Sequence, residues 1–422
     1  MEVKPGYKQT EVGVIPESWD VCNLATISSK ITDGDHVTPK REREGYYLLS
    51  ARNVRDGNID VSDVDYVGQE EYQRMRQRCA PEVGDILISC SGHGLGRVAI
   101  VPEGLQCVLV RSAALVKLDR KDVNSLFIQY WLQGTCAQNQ ISSSKSLAAQ
   151  PNLFINSIER LRCPLPPSVT EQLGISEALS DVDALLGGLE RLITKKLDLK
   201  QAAMQQLLTG KTRLPGFHGK WEVKRLDELA DIRSGGTPST DEPRFWDGDV
   251  PWCTPTDITA LGGHKYLRET SRRITQQGLQ FSSAEVIPAY SVVMTSRATI
   301  GECAINEGPV STNQGFKNLV PLDSIDVEFL YYLLASQKQR FISVCGGSTF
   351  LEISKGQLAE FEVRLPATRI EQTAIAVVLA DMDAELEALE QRLSKTRDIK
   401  QAMMQELLTG KTRLISPQEA HA

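Results

Sequence analysis

Residues 200–214 read KQAAMQQLLTGKTRL, and residues 400–414 read KQAMMQELLTGKTRL. Only Ala203/Met403 and Gln206/Glu406 differ. A repeat this long and faithful divides the 422-residue chain into two copies of one unit. Its period far exceeds that of stacked solenoid repeats, so the repeat reports a duplicated domain. Each copy holds a large variable part followed by a short, nearly constant helical part.

The variable parts open on a tryptophan after a turn-prone segment, Pro16-Glu17-Ser18-Trp19 in one copy and His218-Gly219-Lys220-Trp221 in the other. Short β-rich runs bounded by Gly and Pro follow. In the first copy they are Asp85–Ser89, Arg97–Val101, Gln106–Val110 and Ala114–Leu118. In the second they are Tyr290–Ser296, Glu302–Ile305, Val310–Thr312 and Asn318–Leu322. Helical stretches Val123–Leu132 and Val327–Ala335 come next. The pattern predicts two divergent α/β domains of common origin.

Each variable part stops at a proline, Leu165-Pro166-Pro167 or Leu365-Pro366-Ala367, with Glu-Gln at 171–172 and 371–372. Proline ends a strand and is tolerated in a helix's first turn. Beyond it, apolar residues recur at alternating spacings of four and three. They are Ile175, Leu179, Val182, Leu186, Leu189 and Ile193, then Ile375, Leu379, Met382, Leu386, Leu389 and Leu393. This heptad seam keeps one register in both copies.

A helix of about forty residues spans roughly 60 Å and cannot stand alone with one apolar face. The two helices are therefore expected to pair, antiparallel because the connections are short, with a globular domain of their own at opposite ends. The alternative is that each packs only on its own domain. Gly210 and Gly410 read as helix stops before Lys-Thr-Arg. Gly187-Gly188 interrupts the first seam where the second has Glu387-Ala388, through either a close helix crossing or a tolerated weak point.

Several chemistries are excluded. TGKT at 209–212 and 409–412 resembles the end of a phosphate loop, but Gln205 or Gln405 stands where its leading glycine belongs. It also lies at a helix C-terminus, where the dipole repels phosphate. The five histidines form no HExxH, and the nine cysteines form no CxxC or zinc spacing. There is no Asn-Pro-Pro-aromatic methylase motif and no acidic nuclease cluster. Ser91–Gly96 is glycine-rich but lies between two strands, so it reads as a hairpin loop. The chain is expected to catalyse nothing and to hold no metal. No run approaches a membrane span, and the reading is a cytoplasmic protein with reduced thiols. The net charge of −7 argues against a lone nucleic-acid binder. Any DNA contact must rest on local patches or on a partner.

The opening Tyr7-Lys8-Gln9-Thr10-Glu11-Val12-Gly13-Val14-Ile15-Pro16-Glu17-Ser18-Trp19 resembles the start of type I restriction–modification specificity subunits. So do Ser234–Ser239, Phe245-Trp246, Val250-Pro251-Trp252, Thr256-Asp257-Ile258 and the paired Leu-Leu-Thr-Gly-Lys-Thr-Arg-Leu segments. The resemblance implies two target recognition domains, each reading half of a split, asymmetric DNA site, with the helices as spacer. Its partners would be duplex DNA, two methyltransferase subunits and motor-nuclease restriction subunits. The chain itself would need no cofactor, while those subunits use S-adenosylmethionine, ATP and Mg. The implied layout is a first recognition domain at 1–163, a helical spacer at 164–214, a second recognition domain at 215–365, and a distal spacer with tail at 366–422. A protein–protein scaffold and a DNA-modifying enzyme with an unrecognised active site are the alternatives.

Base edges are read by Arg, Asn, Gln and, more loosely, Ser, Thr and His, presented on loops above a rigid scaffold. The candidates are Ser91, His93 and Arg97 in the first loop, then Arg111, and Lys145 after three serines. In the second copy they are Arg297, Thr299, Asn313, Gln314 and Lys317, with the turn Gly346–Thr349 matching the serine stretch. Thr32–His36 and Ser234–Thr237 are further loop candidates.

Overall fold

The computed structural model describes residues 4–144, 151–345 and 351–414. The chain forms two compact units. One runs through Glu190 and resumes at Gln391, and the other is Arg191–Glu390. Each unit thus takes the first part of one long helix and the last part of the other.

In the first unit an antiparallel sheet has the order Val98–Ile100, Ile86–Ser89, Ala113–Lys117, Lys30–Asp33. A second sheet pairs Cys107–Leu109 in parallel with Tyr46–Leu49 and continues to Asp65–Val67 and Arg41–Glu42. The second unit repeats the plan with Cys303–Asn306, Val292–Thr295, Phe316–Pro321 and Ala230–Ser234, and adds Tyr266–Leu267 at the edge. Its other sheet is built on Trp246–Cys253. The expected mixed fold therefore takes an α+β form, its main sheets largely antiparallel. Ile86, Ile88, Val292 and Met294 turn their faces into cores with less than 1 % exposure. Strand alternation places those residues against the helices Ser125–Gln133 and Val327–Ser336, whose aromatic bodies complete the cores.

The long helices are Val169–Leu207 and Arg369–Leu407. The Glu-Gln pair at the start of each has a defined job. Gln172 Nε2 donates to the carbonyls of Pro166 and Asp122, and its Oε1 accepts from Asn124 N–H. Gln372 does the same with Pro366, Ser324 and Asp326. Glu171 is fully buried and takes a two-pronged pair from Arg413, at 2.5 and 2.8 Å. Glu371 takes the same from Arg213 at 2.5 and 2.6 Å. The repeated Lys-Thr-Arg is therefore a clasp on the other copy's helix start.

Pairing within each unit is antiparallel. In the first, Glu171–Arg413, Asp183–Lys400 and Glu190–Arg397 run in opposite senses. In the second, Glu371–Arg213, Asp383–Lys200 and Glu385–Lys196 do likewise. The alternative of helices packed only on their own domains is overturned. Leu179, Leu189, Leu379 and Leu386 are buried, whereas Val182, Leu186, Ile193, Met382, Leu389 and Leu393 are half-buried. Two helices alone cover only one side of a seam, and Leu185, Leu192, Leu197 and Leu199 lie outside it, 38–48 % exposed.

Gly210 and Gly410 end the helices at φ +69° and +68°, in the left-handed region. A Cβ on Gly410 would meet Pro16 at 2.6 Å and Trp19 at 3.2 Å, and one on Gly210 would meet Trp221 at 3.1 Å. The tryptophan opening each variable part and the glycine closing each constant part thus form one contact.

Candidate nucleic-acid interface

In each unit the same three loops and one returning segment converge at one end of the antiparallel sheet. In the first they are 33–37, 90–97, 110–112 and 151–155, and in the second 234–238, 296–301, 313–315 and 351–355. Matching hydrogen bonds fix the equivalence. Cys90 N–H donates to Ser112 and Ser296 N–H to Gly315. Gly34 N–H donates to Ala113 and Gly235 N–H to Phe316. Ser91 bridges Asn152, and Arg297 bridges Glu352, both antiparallel. The scaffold is shared while the side chains on it differ.

In the first unit the 90–97 loop is the hairpin expected. His93 sits exposed at its tip, Ser91 is half-buried, and Arg97 lies along the loop beside Gly94. Arg111 is exposed, and neither it nor Arg97 has an acidic partner among the described residues. Arg111 and Ser91 line a cleft of about 730 Å³ with Asp33, His36, Asn152 and Phe154. Asp33 is held by Arg78 at 2.6 Å and His36 at 2.7 Å, and Asp35 by Arg74 at 2.7 Å. Burial pushes the Asp33 carboxyl up, but Arg78 and His36 outweigh it and hold the group below its ordinary range. Lys145 lies outside the described residues, as does Gly346–Thr349.

The second unit ties its loop differently. Trp252 Nε1 donates to the Gly236 carbonyl at 3.0 Å, and Trp246 Nε1 to Ser239 at 3.0 Å. The Arg272 guanidinium lies 3.9 Å from the Trp246 ring centre, a cation–π contact. Gln314 is exposed and accepts from the Thr237 hydroxyl. Asn313 spends its Oδ1 on Gly315 N–H at 2.9 Å, which shapes its own turn. The Thr299 hydroxyl is buried with no hydrogen-bond partner among the described residues.

Arg297 is exposed and pairs with Glu352 at 2.9 Å. Lys317 corrects the expectation drawn from sequence. It faces inward from the strand Phe316–Pro321, only 6 % exposed, with Nζ 3.5 Å from Glu352. A lysine so placed cannot reach a phosphate. Burial lowers its pKa against the opposing pull of Glu352.

Sequence reasoning missed Arg74, Arg78, Phe154 and Glu352. Phe154 is 56 % exposed beside the first cleft. Glu352 stands where the first copy has Asn152, and only an alignment of the two copies through this bridge would have singled it out.

The sequence matches the family described as type I restriction modification DNA specificity domain twice, over residues 20–199 and 218–396. It is 26% identical over 428 residues to a putative type I restriction enzyme MjaX specificity subunit of Methanocaldococcus jannaschii, covering 97% of each chain. Against the MjaIX specificity subunit of the same organism it is 37% identical over 169 residues, 40% of this chain and 39% of that protein. The fold is similar to the type I restriction–modification S subunit of M. genitalium, with TM-score 0.56 and 16% identity, covering 96% of this chain and 98% of that one. A chain solved in work on complex assembly and conformational transition of the type I R–M system gives TM-score 0.60 at 18% identity, over 94% and 99%. With its domain model matched twice across most of its length, this chain belongs to the type I restriction–modification DNA specificity family.

Proposed function

We propose that this chain is the sequence-reading subunit of a type I restriction–modification assembly and that it recognises a split, asymmetric duplex site, one half through each repeat. The observation that carries this reading is the pair of equivalent loop clusters furnished with different side chains. Equal scaffolds with unequal loops suit two unlike half-sequences. Loops on a rigid sheet can reach base edges, and Arg, Asn and Gln are the residues that discriminate among them.

The net charge of −7 leaves the chain with little non-specific pull on phosphate. Partner subunits therefore supply part of that attraction. In this reading two methyltransferase subunits carrying S-adenosylmethionine dock on the chain, and restriction subunits using ATP and Mg join them. The assembly works in the cytoplasm, and this chain positions the chemistry without performing it.

Binding-site selection from randomised duplexes, with methyltransferase subunits reconstituted on the full chain, tests the proposal. The expected result is two unlike half-sequences separated by a gap of constant length. A continuous palindrome, or no preference, refutes it.

A further inference from the structure

We propose that Glu352 is a positioning residue that aims Arg297 at a guanine in the half-site read by the second repeat. The inference rests on the split-site reading above and goes beyond it by naming a base, the side chain that reads it and the side chain that holds the reader in place.

Arg297 stands at the start of the turn joining Val292–Thr295 to Cys303–Asn306. Its backbone bridges Glu352, and Ile353 N–H donates to the Ser296 carbonyl at 3.1 Å, so the two segments are locked side by side. The next residue, Ala298, holds φ +56°, a left-handed conformation that L side chains seldom adopt. The aligned residue of the first repeat is Gly92, at φ +76°. The turn thus takes the same left-handed path in both repeats.

The pair joins Arg297 to Glu352 through Nε at 2.9 Å. Among the described residues no acceptor engages its two terminal nitrogens. Those nitrogens form the planar fork that matches two acceptors side by side, and in the major groove O6 and N7 of guanine present that edge. The carboxylate is itself anchored from below. Lys317 lies 3.5 Å from its other oxygen and is 6 % exposed, so it serves Glu352 and not the solvent. Arg297 and Glu352 also wall a cleft of about 890 Å³ with Thr299, Glu302, Lys338 and Leu351. The first repeat has Ser91 and Asn152 at the corresponding bridge, with neither charge present. Guanine reading at this point therefore belongs to the second repeat alone.

The test is site selection with the reconstituted complex carrying the wild-type chain, R297A, E352Q or E352D. R297A is expected to lose preference for one guanine in one half-site by about tenfold to a hundredfold, with the other half unchanged. E352Q should keep the same guanine preferred but weaken discrimination at that position only, and E352D should restore part of it. A uniform loss across all sequences in R297A would mark a phosphate contact and overturn the proposal. So would an unchanged site in R297A, or a cytosine preference lost in E352Q alone, which would make Glu352 the reader. If the wild-type complex selects no split site, the functional reading fails, and this inference falls with it.

Discussion

Arg413 and Arg213 show how one residue can justify a repeated motif. The sequence presents Lys-Thr-Arg as a tail after a helix stop, solvated by default. Instead each guanidinium grips a carboxylate at the other copy's helix start, and Glu171 has no exposed surface. Removing one partner of such a pair strands a buried charge, which costs about 3–5 kcal/mol, whereas an apolar pair of similar volume is nearly neutral. R413M should therefore lower stability by about that amount in urea unfolding, and R413M/E171M should recover most of it. An R413M chain as stable as wild type would mean that the clasp anchors nothing. The Trp19 contact with Gly410 has the same character: both residues were visible as punctuation, and neither could be seen to touch the other before folding.

At the level of elements, the sequence was most legible where periodicity was long. The heptads gave the two helices, Gly210 and Gly410 their stops, and the short β-rich runs the core strands to within a residue or two; Ile86–Ser89 and Val98–Ile100 lie inside the expected runs. The loop chemistry was much less legible. Asp33 meets Arg78, and Arg297 meets Glu352, across long stretches of chain that no local pattern records. Lys317 was misread because a lysine in a polar-looking run passes for surface until its strand's facing is known. The glycines of the first long helix make a separate prediction. A Cβ on Gly174 or Gly188 would meet no atom within 4 Å, so Gly188 marks a weak point and not a close crossing. The second helix has Ala374 and Ala388 at those positions. Glycine in a helix interior costs roughly 0.5–1 kcal/mol relative to alanine. G174A and G188A should each raise the melting temperature of the first unit, and a fall in either would reveal a neighbour that needs the gap.

For the whole molecule, the repeat predicts that the variable parts can be exchanged, provided that the junction chemistry is kept. Every hydrophobic cluster of described residues draws on one unit only. The variable part meets its long helix through a short code that appears in both copies. Asn124 caps the helix Ser125–Gln133 and donates its N–H to Gln172, and Tyr130 donates to Asp183 at 2.9 Å. Asp326 and Tyr332 repeat this with Gln372 and Asp383. A donor segment replacing residues 20–160 should fold on the resident helix if it supplies the capping Asn or Asp and the tyrosine at the same spacing. The reconstituted chimera should then select a site changed in one half and untouched in the other. Replacing the donor's tyrosine with phenylalanine leaves Asp183, among the described residues, its pair with Lys400 at 2.6 Å, and should cost stability without altering the selected bases. If the exchange alters both halves, the two repeats do not read independently, and the division of labour proposed for them is wrong.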